Sequence, residues 1–335
     1  MKYRSVVVTK RGGPEYLLVV ENELRSPKAG EVQIKVLATG VGRTDINYRY
    51  GLSPFSPKIP FVPGYEIVGI VEAVGDGVTR VAVGDRVAAL TGQGGYSEII
   101  YLKQEHLAPV PPSLDPAEVV AVVLNYVSAY QMLHRVAKVK AGDKVLVNGA
   151  SGGVGTALLE LGRLAGLKMY GTASQSKYDV LTKLGATPID YHTQDFVKEI
   201  PAKEPEGLDF VFDGMGEKQI DRALGILKNG GKLVTYAAPR GFFSLLRDLG
   251  KLLRVNLLSM GKSIGFYGIT ALYKRDKRPF MEDLPKLFKL LEEGRIKPIV
   301  TEKFALLEAR RANELLESGK VTGNIVLLTP ELLMN

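Results

Sequence analysis

Residues 144–155 read KVLVNGASGGVG, a short apolar run that passes directly into a glycine-rich turn. Lys144 to Val147 reads as a buried strand, and Gly149, Gly152 and Gly155 follow at GxxGxxG spacing. Glycine there permits a tight turn and lets the backbone approach a pyrophosphate. From Val154 the apolar residues Ala157, Leu158, Leu161 and Ala165 recur at helical spacing, and Gly166 ends the run. The turn therefore opens into a helix whose first N–H groups are available to an anion. A second strand follows at Met169 to Ala173. An ordinary tight turn also leaves such a glycine pattern; the order strand, turn, helix, strand is what makes it a dinucleotide-binding signature, with Ser151, Gly152, Gly153 and Val154 at the pyrophosphate.

The end of the second strand selects the dinucleotide. A site for NAD usually carries an acid there for the adenosine ribose. Residues 171–177 read GTASQSK, with no acid. A carboxylate repels a 2′-phosphate, whereas hydroxyls and an ammonium bind it, so Ser174 and Lys177 point to NADPH. The alternative is that Ser174 or Ser176 caps the next helix and Lys177 is a solvated surface lysine.

Outward from this unit the pattern continues. A helix is expected over 177–184, strands over 189–191 and 208–213, a helix over 218–227 and a strand over 232–236 after Asn229-Gly230-Gly231. Strands alternating with helices imply right-handed crossovers and a doubly wound parallel sheet. A last strand is expected over 263–270, an edge that would pair with its copy in a homodimer. Upstream the chain is β-rich: Val32, Ile34 and Val36 alternate with Gln33 and Lys35, and apolar runs at 67–74 and 86–90 are separated by glycine–aspartate turns. Pro116 to Val136 is apolar at helical spacing and marks the change of character. The expected domains are 1–122 with 271–335, and 123–270.

Composition removes several function classes. The chain has 335 residues, 45% hydrophobic and 24% charged, ordinary values for a two-domain globular protein. It contains no cysteine and three scattered histidines, His106, His134 and His192, so no metal site is expected. The net charge of +8 is spread through both halves without a nucleic-acid-binding motif, and nucleic acid is not expected as a partner. No apolar run approaches the ~20 residues that span a bilayer, and residues 1–5 lack a signal-peptide core, so a cytoplasmic location is expected. Residues 242–262 form a basic amphipathic stretch, with Phe242, Phe243, Leu245, Leu246, Leu249, Leu252, Leu253, Leu257 and Leu258 among Arg247, Lys251, Arg254 and Lys262. It reads as a packed helix or substrate lid, with a membrane-surface role as the alternative. Tyr273 and Lys277 match the YxxxK of short-chain dehydrogenases, but far C-terminal to the glycine turn, where the match is accidental.

Thr44-Asp45 with Arg49 and Gly51, Pro63-Gly64-Tyr65-Glu66 followed by Gly69, Val83-Gly84-Asp85-Arg86-Val87, Gly95-Tyr96-Ser97-Glu98, Ser128-Ala129-Tyr130 and the glycine turn occur in order. In these the chain resembles the medium-chain dehydrogenase/reductase superfamily, in its zinc-free quinone oxidoreductase branch, over essentially its whole length. The resemblance implies an α/β protein in which a GroES-like β-rich catalytic domain (1–122 and 271–335) joins a Rossmann NADP(H)-binding domain (123–270), with the active site in the cleft between them. Zinc-dependent alcohol dehydrogenases of the superfamily place a cysteine and a histidine where this chain has Gly42 and Tyr65. Neither supplies a zinc ligand of the required kind, and no structural zinc loop is present.

The chemistry then implied is hydride transfer from NADPH to an acceptor that is electrophilic by itself, a quinone or an α,β-unsaturated carbonyl, aided by a hydrogen bond to the oxygen that gains charge. Asn47 and Tyr48, in the cleft-lining segment of related enzymes, and Tyr65 are the candidate catalytic residues. Asn47 stands where many quinone oxidoreductases have tyrosine, and resembles the enoyl thioester reductases instead. Each has a bland alternative: a loop asparagine bonded to its own turn, or a core tyrosine. Arg49 is expected in an internal salt bridge. By position the resemblance adds Tyr191, Tyr236, Ala237, Phe266 and Tyr267 as cofactor contacts. Asn324 stands where relatives often have lysine, which leaves a C-terminal cofactor contact open. The alternatives to a quinone or enone reductase are an enoyl thioester reductase, or a low-turnover NADPH-binding protein with a membrane or partner role.

Overall fold

A computed structural model describes residues 1–216, 218–257 and 261–333 of the chain; Leu258, one of the apolar positions noted above, lies outside the described residues. The chain divides into two units, Met1–Val127 with Arg278–Asn335, and Ser128–Lys277. The divisions expected at 122/123 and 270/271 precede these, since the sequence has no composition break where the contacts change. The helical run begun at Pro116 continues past Val127.

The first unit opens with the hairpin β1 (Lys2–Val8) and β2 (Leu17–Glu23), then β3 (Glu31–Val41), α1 (Arg43–Tyr50), β4 (Glu66–Val74), β5 (Arg86–Leu90), β6 (Ile99–Lys103) and β7 (Ala108–Pro109). The alternation in β3 does what period-two patterning requires: Val32, Ile34 and Val36 are fully buried. Gln33, on the other face of the strand, is buried as well, and its amide donates to Glu72 on β4 at 3.1 Å. α2 (Pro116–Ala121) starts where Asp115 accepts from the Ala117 N–H at 2.8 Å and proline occupies the first turn. It runs on through π-helical turns at Val122–Tyr126 into α3 (Val127–Gln131).

The second unit alternates as expected: β8 (Lys144–Asn148), α4 (Gly153–Leu164), β9 (Lys168–Ala173), α5 (Tyr178–Lys183), β10 (Ala186–Asp190), α6 (Phe196–Lys203), β11 (Leu208–Asp213), α7 (Lys218–Gly225), β12 (Leu227–Thr235), α8 (Gly241–Leu257), β13 (Ser263–Phe266) and α9 (Ile269–Arg275). Its described strands form a parallel sheet in the order β10-β9-β8-β11-β12-β13, the doubly wound arrangement. Three boundaries are corrected. β10 begins at Ala186 and stops before Tyr191, β12 already starts at Leu227 and carries the Asn229–Gly231 turn as an irregularity, and β13 ends at Phe266 because Ile269 and Thr270 enter α9. At the N-terminal edge of the sheet the buried Glu204 carboxylate meets Lys144 and Lys168, each at 2.6 Å, and accepts from the Tyr170 hydroxyl; these bonds hold it down at about 2. That end is fastened, which leaves the opposite edge for loops.

The chain returns to the first unit with α10 (Arg278–Glu292), β14 (Val300–Ala305), α11 (Ala309–Glu317) and β15 (Asn324–Leu328). The sheet there runs β14-β15-β3-β4-β5-β7, with β6 also paired to β3. Val6, Ile34, Val36, Ile67, Val87, Tyr96 and Leu327 fill its core.

Candidate active site

The cofactor residues read from the sequence all follow the C-terminal ends of strands in the parallel sheet. Ser151 to Val154 follow β8, Ser174 to Lys177 follow β9, Tyr191 follows β10, Tyr236 and Ala237 follow β12, and Phe266 and Tyr267 close β13. This is the edge where open parallel sheets bind ligands, since the helices that follow present their N-termini there. The glycine turn is tied to the second strand: the Gly149 N–H donates to the Thr172 hydroxyl at 2.9 Å and the Ala150 N–H to the Thr172 carbonyl. Gly155 permits the close approach of α4, because a Cβ there would sit 2.3 Å from the Gly149 carbonyl oxygen. Gly152 precedes the helix with no side chain over its first N–H groups. These features fit a pyrophosphate.

At the end of β9, Ser174 does not cap the following turn; its hydroxyl instead lies 3.2 Å from that of Ser176. Lys177 is half-buried, and burial lowers its ammonium from the ordinary lysine range. Tyr191 is exposed, its ring 4.2 Å from that of His192. Tyr236 and Ala237 are half-buried, and burial beside Asp213 raises the Tyr236 hydroxyl. Phe266 is half-buried, whereas Tyr267 turns inward and donates to Gln131 at 2.9 Å, so its ring serves the interior. Sequence reading missed Asp213. Fully buried at the end of β11, it accepts from the Gly216 and Met215 N–H groups and the Asn148 amide, which joins the 214–216 loop to the glycine turn. The available signal was an acid closing an apolar strand just before Gly-Met-Gly.

Asn47 and Tyr48 lie in the first unit on α1, a helix and not the loop considered for Asn47, and both are half-buried. The Asn47 side chain has no hydrogen-bond partner among the described residues. Tyr48 and Tyr65 form a tilted pair with centroids 6.2 Å apart, joined by a hydrogen bond. Burial raises the Tyr48 hydroxyl, while the hydrogen bond with Tyr65 lowers it. Tyr65 is buried, as a core tyrosine would be.

Asp45 sets this geometry. Its carboxylate accepts from the Gly64 N–H at 3.0 Å, the Gly42 N–H at 2.9 Å and the Tyr96 hydroxyl at 3.3 Å, which fastens the start of α1 to the loop carrying Tyr65. Gly64 is required there: its φ is +100° and a Cβ would fall 2.5 Å from Gly95 Cα. Burial nevertheless pushes Asp45 up to about 6. The folded value exceeds the usual 3.9 of an unfolded chain, so folding favours the protonated form; this contribution is complete below about pH 4 and lost as pH rises through about 6. Unfolding of wild type and Asp45→Asn should therefore differ by roughly 2–3 kcal/mol more at pH 4 than at pH 7, in favour of wild type at the acid end. Parallel stability–pH curves from urea titrations would remove this account.

Glu66, which sequence reading used only as part of a motif, is buried and held well above the carboxylate range by desolvation and by Asp45. Its Oε2 has no hydrogen-bond partner among the described residues. It faces a small pocket lined by Gly40, Gly42, Asn125 and Asn324, in which Asn125 donates to Asn324 at 2.5 Å. Asn324 in turn donates to the Ile299 carbonyl, so it is engaged at the start of β15. Around Gly42 this donor set does not fit a catalytic zinc: there is no side chain at 42, Tyr65 bonds Tyr48, and the Asp45 carboxyl is engaged by Gly42, Gly64 and Tyr96, which leaves the Glu66 carboxyl alone.

A family model described as "Alcohol dehydrogenase GroES-like domain" matches residues 28–112, and one described as "Zinc-binding dehydrogenase" matches 184–327. The chain is 31% identical over 332 residues to human quinone oxidoreductase, covering 97% of both. It is 31% identical to the synaptic vesicle membrane protein VAT-1 homolog of Danio rerio, over 98% of this chain and 70% of that one. Escherichia coli quinone oxidoreductase, solved in complex with NADPH, superimposes with a TM-score of 0.87 at 28% identity, over 97% of this chain and 99% of that one.

Proposed function

Because the chain belongs to the medium-chain dehydrogenase/reductase superfamily, with quinone oxidoreductases among its relatives, we propose that it is a zinc-independent, NADPH-dependent reductase of quinones or α,β-unsaturated carbonyls. The observation that carries the reading is the concentration of the glycine turn, Ser174 and Lys177 on one edge of the parallel sheet, with no acid after β9. The N–H groups of residues 151–154 hold the pyrophosphate, and Ser174 with Lys177 holds the 2′-phosphate. Tyr191 and Tyr236 flank the adenosine and nicotinamide ends, with Ala237 and Phe266 beside the latter. Bound NADPH supplies a hydride from its nicotinamide ring. The protein contributes a hydrogen bond to the acceptor oxygen as that oxygen gains charge, and the half-buried Tyr48 O–H, paired with Tyr65, is suited to give it. Asn47 offers a second donor from the same helix.

Zinc independence is supported by the donor chemistry at Gly42 and Tyr65 and by the lack of cysteine in the sequence. A second reading, an enoyl thioester reductase, is favoured by Asn47 alone. The experiment is oxidation of NADPH by the purified protein against matched quinones and enones, with NADH as control and with and without chelator. Quinone turnover that prefers NADPH and ignores chelator is expected. Turnover of enoyl thioesters alone would transfer the protein to the second reading, and tight NADPH binding without any turnover would end the enzymatic one.

A further inference from the structure

We infer that α8 is a membrane-surface helix, docking the protein on anionic lipid through an exposed apolar stripe and an arginine flank. Phe242, Leu246, Leu249, Leu253 and Leu257 recur at i, i+4, i+7, i+11 and i+15, one face of a helix, and are exposed by 61, 49, 44, 56 and 77%. Phe243 beside them is 86% exposed. Of the other large apolar side chains exposed among the described residues, Tyr50, Leu52, Phe55 and Ile59 fall at the end of α1 and in the irregular segment after it and the rest are scattered, whereas these six lie together on one helix, α8. A contiguous apolar surface of this kind marks an interaction site; single exposed leucines do not.

The opposite side of the helix is already used. Leu252 and Val255 pack on the core of the parallel-sheet unit, and Asp248 is buried. The Asn256 side chain accepts from the Ile264 N–H at 2.9 Å and donates to the Ile264 carbonyl at 3.0 Å, while Lys251 meets Asp221 at 2.5 Å. These bonds fix the rotation of α8, so the stripe is held outward. The packed helix expected from the sequence is therefore docked by one side only.

Charge identifies the occupant. Arg247 and Arg254 follow Phe243 along one flank of the stripe, at i+4 and i+11, and Arg240 stands just before the helix. Arg240 and Arg254 are exposed and have no ion pair among the described residues; Arg247 is exposed and pairs with Asp248 at 3.1 Å. Phenylalanine and leucine on one face with arginines at its margin match the boundary between acyl chains and phosphate head groups. A second copy suits the surface less well: antiparallel pairing along the stripe sets the same arginine flank of each helix against the other. No described helix is long and apolar enough to cross a membrane, so the contact is with the surface. The inference is independent of the acceptor proposed above, and its test uses no cofactor.

The full chain is floated with phosphatidylcholine vesicles with and without phosphatidylserine, at low and high salt. Binding to the phosphatidylserine vesicles, weakened by salt, is expected. Phe243→Ser with Leu257→Ser, and separately Arg247→Glu with Arg254→Glu, should each weaken it by at least about tenfold. Both pairs are on the exposed side, and unchanged melting and gel-filtration profiles would show that the fold is intact. No partition onto phosphatidylserine vesicles at low salt overturns the proposal. So does a serine variant that only shifts a dimer to a monomer, which would assign the stripe to a second copy.

Discussion

Replacing Lys177 with glutamate is expected to weaken NADPH binding by roughly a hundredfold or more while changing NADH binding by less than about threefold. The two cofactors differ only in the 2′-phosphate, so the ratio of the two losses isolates that group. A charge-assisted bond to phosphate contributes about 1.5–3 kcal/mol, and a carboxylate in its place adds repulsion, so about 2.7 kcal/mol, a hundredfold, is a modest expectation. Ser174, whose hydroxyl is not spent on a helix cap, is proposed to share the phosphate. Lys177→Gln should give an intermediate loss, because it removes the charge without reversing it. The measurement is cofactor titration by fluorescence; equal losses for NADPH and NADH in Lys177→Glu would strike the phosphate assignment.

The second large effect lies in the first unit. Arg49→Ala is expected to destabilise the protein by about 3–5 kcal/mol, the range for breaking a buried ion pair from one side. Arg49 is fully buried, pairs with Glu317 on α11, donates to the Gly12 carbonyl at 2.5 Å and stacks 4.8 Å from the Tyr50 ring centroid. Removing it opens a cavity, leaves the Gly12 carbonyl without that donor and leaves the partly buried Glu317 unpaired. Arg49→Met restores volume without charge, and adding Glu317→Gln should recover part of its loss, since the remaining charge is then removed as well. Denaturant unfolding of the single and double variants measures this; additive losses, with no recovery, would show that the pair is not coupled. Because α1 carries Asn47 and Tyr48, loss of activity at a temperature where Arg49→Met stays folded would report misplacement of that helix.

The nucleotide unit was the legible part of the chain. The order of strand, turn and helix at 144–173 is local, and each step follows from residue size and periodicity, so β8, α4 and β9 lie where they were read. Errors fell where local signals weaken or conflict: β13 is four residues long and passes quickly into α9, and β10, which starts directly after Gly185, carries Pro188, a residue that argues against a strand. The site was legible as a set of motifs. The bonds inside it were not, since Thr39 and Glu66, Tyr48 and Tyr65, and Asn125 and Asn324 are distant or unmarked partners whose pairing depends on the register of β3 against β4 and β15.

The amino-acid sequence by itself determined the fold family, the edge of the sheet proposed to receive a dinucleotide, and the residues that argue for a 2′-phosphate, because each depends on short-range spacing and on the chemistry of single side chains. Only the tertiary structure decided that Asp45 ties α1 to the Tyr65 loop, that Tyr267 turns inward, that Asp213 and Glu66 are buried, and that the apolar face of α8 is exposed. Burial is a property of what packs against a residue, and an amphipathic pattern states which face is apolar without stating whether anything covers it.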